Sequence, residues 1–330
     1  MDNLTHSLVG LTAAKTGLER LSPGATLLCV VAANSPDSDV FVGVFGDRWD
    51  LLQHHRGITH SFVGTAFLAL LVPLIFYGLD RAWARLRRRS PKTNFRGLLI
   101  ASLIVTATHP LLDWTNNYGI RLLLPWNPRW FYGDLVFIID PFLWLVLAAG
   151  LLIIWRVRYE TKAKIAFVSF AVVVAYWGAL AFAHSSAVAR GREEAERLAA
   201  PNGETIARLA AMPTLANPLR WDCIFETDKA TYRFAVALNG QTPAGRVVRY
   251  AKPAGPVAAA LQEVANEKPA RVFLGFARFP VARLADPSCT TQTLLQLADL
   301  RYTDPGNARG TFAVDLPVDC PDQVIKRADE

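Results

Sequence analysis

Residues 54–79 read His54-His55-Arg56-Gly57-Ile58-Thr59-His60-Ser61 and then, without a break, FVGTAFLALLVPLIFYGL (Phe62–Leu79). The second part is uncharged and, as a helix, rises about 27 Å, close to the roughly 30 Å of a bilayer core. The first part sets three imidazoles and a guanidinium within seven residues at the mouth of that helix. Ionisable groups at such a depth are costly and by default functional. The stretch therefore predicts a membrane helix with a reactive or metal-binding site at one end.

The surrounding sequence extends this reading. Gly97–Leu112, uncharged except at His109, and the uncharged Ile165–Ala183 are further spans, as is Leu135–Trp155 with its single acid, Asp140. Leu4–Leu18 and Leu21–Pro36, separated by Glu19-Arg20, are each marginal for a full span and fit a helical hairpin or re-entrant pair as well as two crossings. With 52% hydrophobic and only 19% charged residues, the 330-residue chain has a bilayer as the solvent for much of its length. The same figures, with only four cysteines, exclude disorder, a fibrous repeat and a disulfide-dense miniprotein. No basic segment precedes the first apolar run, so no cleavable signal is expected.

The net charge of +7 has a topological explanation. Arg81, Arg85, Arg87, Arg88, Arg89, Lys92 and Arg96 fill one connection, and Arg156, Arg158, Lys162 and Lys164 another. The positive-inside rule puts both in the cytoplasm, so no nucleic-acid partner is expected. Segments 37–61 and 113–134, and everything after about Ala183, then face outward. The fold class is an α-helical polytopic membrane domain (1–184) followed by a small extracytoplasmic α+β, mainly β, domain (185–330).

In that tail, Ser185–Ala211 reads as an exposed helix broken at Pro201-Asn202-Gly203. Tyr232–Leu238 and Arg246–Tyr250 flank a hairpin signal at Asn239-Gly240, and Arg271–Phe279, Leu297–Tyr302 and Gly310–Leu316 read as strands. Cys223, Cys289 and Cys320 permit one disulfide outside the cytoplasm with one thiol left over, whereas Cys29 reads as a small buried residue.

Five of the six histidines fall within the first 109 residues. They form four clusters with acids: Thr5-His6-Ser7; Asn34-Ser35-Pro36-Asp37-Ser38-Asp39; the 54–61 block; and His109-Pro110-Leu111-Leu112-Asp113. Asp37 and Asp39 lie two apart on a turn forced by Pro36, so both carboxylates can point to one ion. His109 and Asp113 share a helical face at i, i+4. With the orientation set by the basic loops, all four clusters converge on the outer face. His6, Asp37, Asp39, His55, His60, His109 and Asp113 exceed the four ligands of one tetrahedral ion and fit one or two divalent ions, zinc foremost, with manganese or iron(II) as alternatives. Two bridged ions would clamp a displacement at phosphorus. Arg56 is placed to hold a phosphate, Thr59 and Ser61 to orient ligands, and His54 to serve as a general acid, to support the ligands, or merely to face solvent.

The ordered set T-H-S, N-S-P-D-S-D, H-H-R-G-I-T-H-S and H-P-L-L-D resembles the YdjM-like family, over about residues 1–160. These are bacterial inner-membrane proteins, some LexA-regulated, described as predicted membrane-bound metal-dependent hydrolases. The segment Trp126–Trp144 is also similar to that family. Within it Asp134 reads as a helix N-cap. Asp140 falls about one and a half turns into a helix kinked by Pro141, either paired with Arg121 or Arg129 or supporting the ligands. The resemblance implies a metal-dependent hydrolase of a multi-pass inner membrane with the lipid bilayer as its surroundings, while the clustered ligands beside Arg56 point to a phosphoester or lipid-linked substrate. A metal-ion carrier or sensor and a non-catalytic envelope scaffold are the alternatives.

Overall fold

The computed structural model describes residues 1–243, 245–307 and 312–320. The described chain divides into two compact units: residues 1–41, 54–184 and 212–218 in one, and 42–53, 185–211 and 219 onward in the other.

The first unit is helical. α1 (Asn3–Lys15) begins at Asp2, whose carboxylate accepts from the Thr5 amide, an N-cap that contributes about 1 kcal/mol. The chain turns through Gly17 and a 3-10 turn at Leu18–Arg20 into α2 (Ala25–Asn34). A long 3-10 turn, Ser35–Phe41, follows where Pro36 prevents the helix from continuing. α1 and α2 are thus a pair of helices joined by a tight turn.

Two short helices, α3 (Val42–Phe45) and α4 (Arg48–His54), belong to the second unit except for His54; α5 (Phe62–Leu86) and α6 (Phe95–Trp114), capped by Ser61 and Asn94, follow in the first. α7 (Pro141–Arg156) and the 41-residue α8 (Tyr159–Ala199) complete the helical set. Four segments are long and apolar enough to cross a membrane: Ala25–Phe45, Phe62–Leu86, Phe95–Trp114 and Tyr159–Asn202.

α1, α2 and α6 pack through small side chains. Ala13, Ala14, Ala25, Cys29, Ala32, Ala33 and Ala101 are buried together with Leu28, Leu98 and Val105. In lipid, where apolar burial does not drive helices together, small residues let backbones approach closely. Gly10 is the tightest point between α1 and α2, because a Cβ there would lie 2.6 Å from the Cys29 carbonyl oxygen.

Two expectations for this unit are corrected. The helix foreseen over Leu135–Trp155 starts only at Pro141 and has 16 residues. Pro141 occupies its first turn, where a missing N–H costs nothing, and does not kink it. Asp140 is consequently its N-cap, accepting from the Phe142 and Leu143 amides at 2.9 and 3.0 Å. Its other oxygen accepts from the Tyr176 hydroxyl at 2.9 Å, so its side-chain partner is a tyrosine of α8 rather than Arg121 or Arg129. Asp134 caps no helix and sits in the connecting segment at φ 52°.

The second unit contains two sheets, ordered β1-β2-β3-β4 and β5-β6-β7. The strands of the first are Ile206–Thr214, Asn217–Thr227, Ala230–Ala237 and Val248–Ala251. Those of the second are Pro280–Leu284, Gln292–Asp299 and Ala313–Asp319. The pairs β2–β3, β3–β4, β5–β6 and β6–β7 are antiparallel. Trp221, Phe225, Phe234 and Phe273 are fully buried among them.

α8 ends at the foreseen break, with Gly203 in the left-handed region, but Ile206–Ala211 beyond it is strand and not helix. Arg271–Phe279, expected as a strand, is mostly α10 (Lys268–Phe276), which follows α9 (Gly255–Val264). Pro269 starts α10, and its buried Val272, Phe273 and Phe276 follow helical spacing. Of the strand foreseen over Gly310–Leu316, Gly310 and Thr311 lie outside the described residues. Cys289 and Cys320 form a disulfide, leaving Cys223 as a buried thiol, which burial pushes up to about 12.

Candidate metal centre

The site is built where α1, α2, α5 and α6 meet, within the helical unit. α6 presents His109 and Asp113 one turn apart on one face, both with no exposed surface. The 3-10 turn after α2 supplies Asp37 and Asp39, and the short turn before α5 supplies His60. Asn34, at the end of α2, donates to the Ser7 hydroxyl at 3.0 Å, tying the second cluster to the first.

Four donor atoms converge. His60 Nε2 lies 3.3 Å from Asp37 Oδ1 and 3.3 Å from Asp113 Oδ2. His109 Nε2 lies 3.5 Å from Asp37 Oδ1 and 3.4 Å from Asp113 Oδ2. The two Nε2 atoms are 3.1 Å apart. Four ligands bonded at about 2.1 Å to a tetrahedral ion stand roughly 3.4 Å from one another. Five of the six edges of this group, at 3.1–3.5 Å, match that figure.

The far sides of both rings are fixed in a way that directs Nε2 inward. His109 Nδ1 lies 2.6 Å from the Ala33 carbonyl oxygen, which can only accept, so Nδ1 carries the proton and Nε2 keeps its lone pair. His60 Nδ1 lies 3.2 Å from Asp39 Oδ2 and 3.0 Å from the Thr59 hydroxyl. A histidine held by a carboxylate on one nitrogen and free to coordinate with the other is the usual arrangement around protein-bound metals.

Asp39 is the organiser of the turn. It also accepts from the Arg56 amide at 2.9 Å and the Thr59 hydroxyl at 3.2 Å, and its Oδ1 lies 3.1 Å from His55 Nδ1. Asp37, Asp39 and His55 form a second group of donors close enough to hold an ion, and Asp37 belongs to both groups. His6 stacks on His109, ring centres 3.7 Å apart, with Nε2 3.4 Å from Asp113 Oδ1. Neither of its ring nitrogens has a hydrogen-bond partner.

Arg56 is buried at φ 51° and points inward. Its guanidinium is 3.1 Å from Asp113 Oδ1, donates to Asn116 Oδ1 at 2.9 Å and lies 4.6 Å from the centre of the Tyr118 ring. The Met1 amino group also donates to Asp113. Three buried carboxylates (Asp37, Asp39, Asp113) thus face one guanidinium and one amino group, and Asp37 Oδ2 and Asp113 Oδ2 have no hydrogen-bond partner. Buried carboxylates that lack such compensation are costly unless a cation completes them. The donor set, the spacing and the orphaned oxygens all fit a divalent metal.

The structure thus brings His6, Asp37, Asp39, His55, Arg56, Thr59, His60, His109 and Asp113 together. It leaves three candidates elsewhere. His54 is exposed at the end of α4. Ser61 caps α5, accepting from the Gly64 amide at 3.1 Å, and Asp140 caps α7. Sequence reasoning missed Asn116 and Tyr118, which seat Arg56. Their signal was a polar run, Thr115-Asn116-Asn117, following a ligand motif in an apolar region and buried throughout.

The fold and this site define a membrane protein with several candidate spans and a buried His/Asp group that could hold a metal ion. No solved structure matches the chain. The chain belongs to the YdjM inner membrane protein family, which matches residues 1–187 and so includes every residue of the site. It is 25% identical over 155 residues to the uncharacterized protein YfhP of Bacillus subtilis (strain 168), covering 44% of this chain and 43% of that one. It is 30% identical over 136 residues to the inner membrane protein YbcI of Escherichia coli (strain K12), covering 39% of this chain and 70% of that one. The chain therefore spans well under half the length of the first of these relatives.

Proposed function

We propose that the protein is a membrane-embedded, metal-dependent hydrolase acting on a phosphoester or lipid-linked substrate through a His/Asp centre of one or two divalent ions, zinc foremost. The observation that carries this reading is the set of tetrahedral edges between His60, His109, Asp37 and Asp113. A divalent ion held there supplies Lewis-acid activation of water and neutralises charge developing at phosphorus.

The protein's own groups divide the remaining work. Asp39 holds the His60 ring by Nδ1, and the Ala33 carbonyl holds that of His109. Arg56 is already engaged by Asp113, so its role is to position that carboxylate; a substrate anion would meet it only by sharing it. His60, His109 and Asp113 are shut off from water, whereas the His55 side chain keeps 24% of its surface. Water and protons reach the site from the His55 side. The Cys289–Cys320 disulfide supports placing the second unit outside the cytoplasm of a bacterial inner membrane.

A second reading, a metal-ion carrier, is favoured by one observation: the Thr106 and Ser102 hydroxyls, one and two turns along α6 from His109, are buried without partners. Metal content and hydrolysis decide between the two. Protein purified in detergent without chelator is expected to hold about one or two equivalents of metal. It should also cleave phosphodiesters, lose that activity on chelation and regain it on metal addition. Absence of metal, or cleavage indifferent to chelation, overturns the hydrolase. Metal uptake into proteoliposomes without cleavage establishes the carrier.

A further inference from the structure

The helical unit contains a cavity of about 760 Å³, within the roughly 300–1,000 Å³ of small-molecule sites. Its walls come from α1, α6, α7 and α8. On α1 they include Val9 and Ala13, and on α6 Thr108, Leu111 and Leu112. Val9 follows His6 by three residues, and Leu112 follows His109 by three and precedes Asp113. One end of the cavity therefore lies about one helical turn from the metal ligands. The other end reaches Gly17, Leu18 and Leu21, at the turn between α1 and α2.

On α8 the wall is a single face, Phe167, Phe170, Val173, Val174 and Trp177, extending about 15 Å along the helix. The two threonines of the lining offer no polarity, since the Thr16 hydroxyl donates to the Ala13 carbonyl and that of Thr108 to the Val105 carbonyl, both at 2.7 Å. Trp177 Nε1 is itself buried, so the indole meets the groove through its apolar ring atoms. The neighbouring Tyr176 bonds to Asp140, the N-cap of α7, so Trp177 lies toward the α7 N-terminus. The groove thus combines an apolar channel with a candidate cation-binding cluster within a turn of its end. Two of its walls, α6 and α8, are long and apolar enough to cross a membrane.

We infer that this groove binds an acyl chain of a membrane glycerophospholipid and presents its phosphate to the His/Asp cluster. This inference rests on the hydrolase reading and specifies its substrate class. It commits to a lipid of the surrounding bilayer, because the groove is bounded by helices apolar enough to lie in one.

The test uses the full-length protein and phosphatidylglycerol carrying a photoactivatable group on one acyl chain. Crosslinks are expected on Phe167–Trp177 and on Val9–Leu18, and native mass spectrometry is expected to show one phospholipid surviving detergent exchange. Filling the groove from its exposed rim with Leu111→Trp or Val174→Trp is expected to lower the retained lipid about tenfold. Crosslinks spread evenly over lipid-facing residues such as Leu74 and Leu145, or retention unchanged in both groove-filling variants, overturn the proposal. If cleavage of a water-soluble phosphodiester depends on metal while no lipid is retained, the groove is refuted and the hydrolase stands. If groove-specific crosslinks form but no metal is bound, acyl binding is supported and the hydrolase fails.

Discussion

The molecule contains two buried polar clusters of similar make-up, one in each unit, and they are finished in opposite ways. In the sheet unit, Glu204 has no exposed side-chain surface and every partner it needs. Its Oε1 accepts from Arg249 at 2.8 Å and from the Tyr232 hydroxyl at 3.1 Å, and its Oε2 accepts from the Thr227 hydroxyl at 2.7 Å. In the helical unit, acceptors face acceptors: lone pairs of His60 and His109 meet the oxygens of Asp37 and Asp113, two of which have no donor at all. A satisfied network rigidifies a fold, whereas an unsatisfied one of this donor type could hold a cation. Burial of polar groups is common to both; only the balance of donors and acceptors separates a structural cluster from a binding site.

Three substitutions test that contrast. The largest effect is expected from His109→Ala, which removes one of the four converging donors. Metal affinity, read by competition with a chromophoric chelator, should fall by more than about 100-fold, exceeding what the loss of a supporting group costs. A metal content equal to wild type would mean the four atoms do not form the site.

Asp39→Asn should act more gently, because it loosens His60 and the turn without removing a ligand of the first group. A decrease of about 10–100-fold in metal affinity is expected from the same titration, the range for residues that orient a ligating histidine. A loss as large as that of His109→Ala would instead make Asp39 a direct ligand.

Glu204→Gln should leave metal binding untouched and cost about 1–2 kcal/mol in denaturant unfolding of the sheet unit. It also carries a pH signature. Burial alone would raise the Glu204 carboxyl, but hydrogen bonds from Arg249, Thr227 and Tyr232 outweigh burial and hold it below the usual range. The unfolded chain therefore binds the proton first, so this contribution is present above the ordinary glutamate value and is lost as pH falls through the lowered folded one. The acid limb of the stability curve should flatten in the variant, and an unchanged limb would show that Glu204 is not the group responsible.

How much of this was legible beforehand follows the same division. The convergence of His6, Asp37, His60, His109 and Asp113 could be read because basic loops fix which helix ends share a side, and motif positions relative to those ends are plain in the sequence. What could not be read was division of labour among neighbours. Asp37 and Asp39 look alike two residues apart, yet the first faces the ring nitrogens that converge and the second grips the back of His60. Asp140-Pro141 admits a kinked helix or a helix start, and only the 3.0 Å bond from the Leu143 amide decides for the start. Arg271–Phe279 misled because its apolar run, Val272-Phe273-Leu274 between Arg271 and Gly275, is too short for periodicity to separate a strand from a buried helix.

Gly10 bears on more than the packing of its hairpin. It lies one helical turn beyond His6, and its missing side chain sets how near α1 comes to the backbone of α2, on which Asp37 follows. The gap across which those donors face each other is therefore fixed by main chain touching main chain, which yields far less than side chains do. A single methyl group at this crossing would move His6 away from the backbone that leads to Asp37 and disturb the His/Asp cluster from a distance.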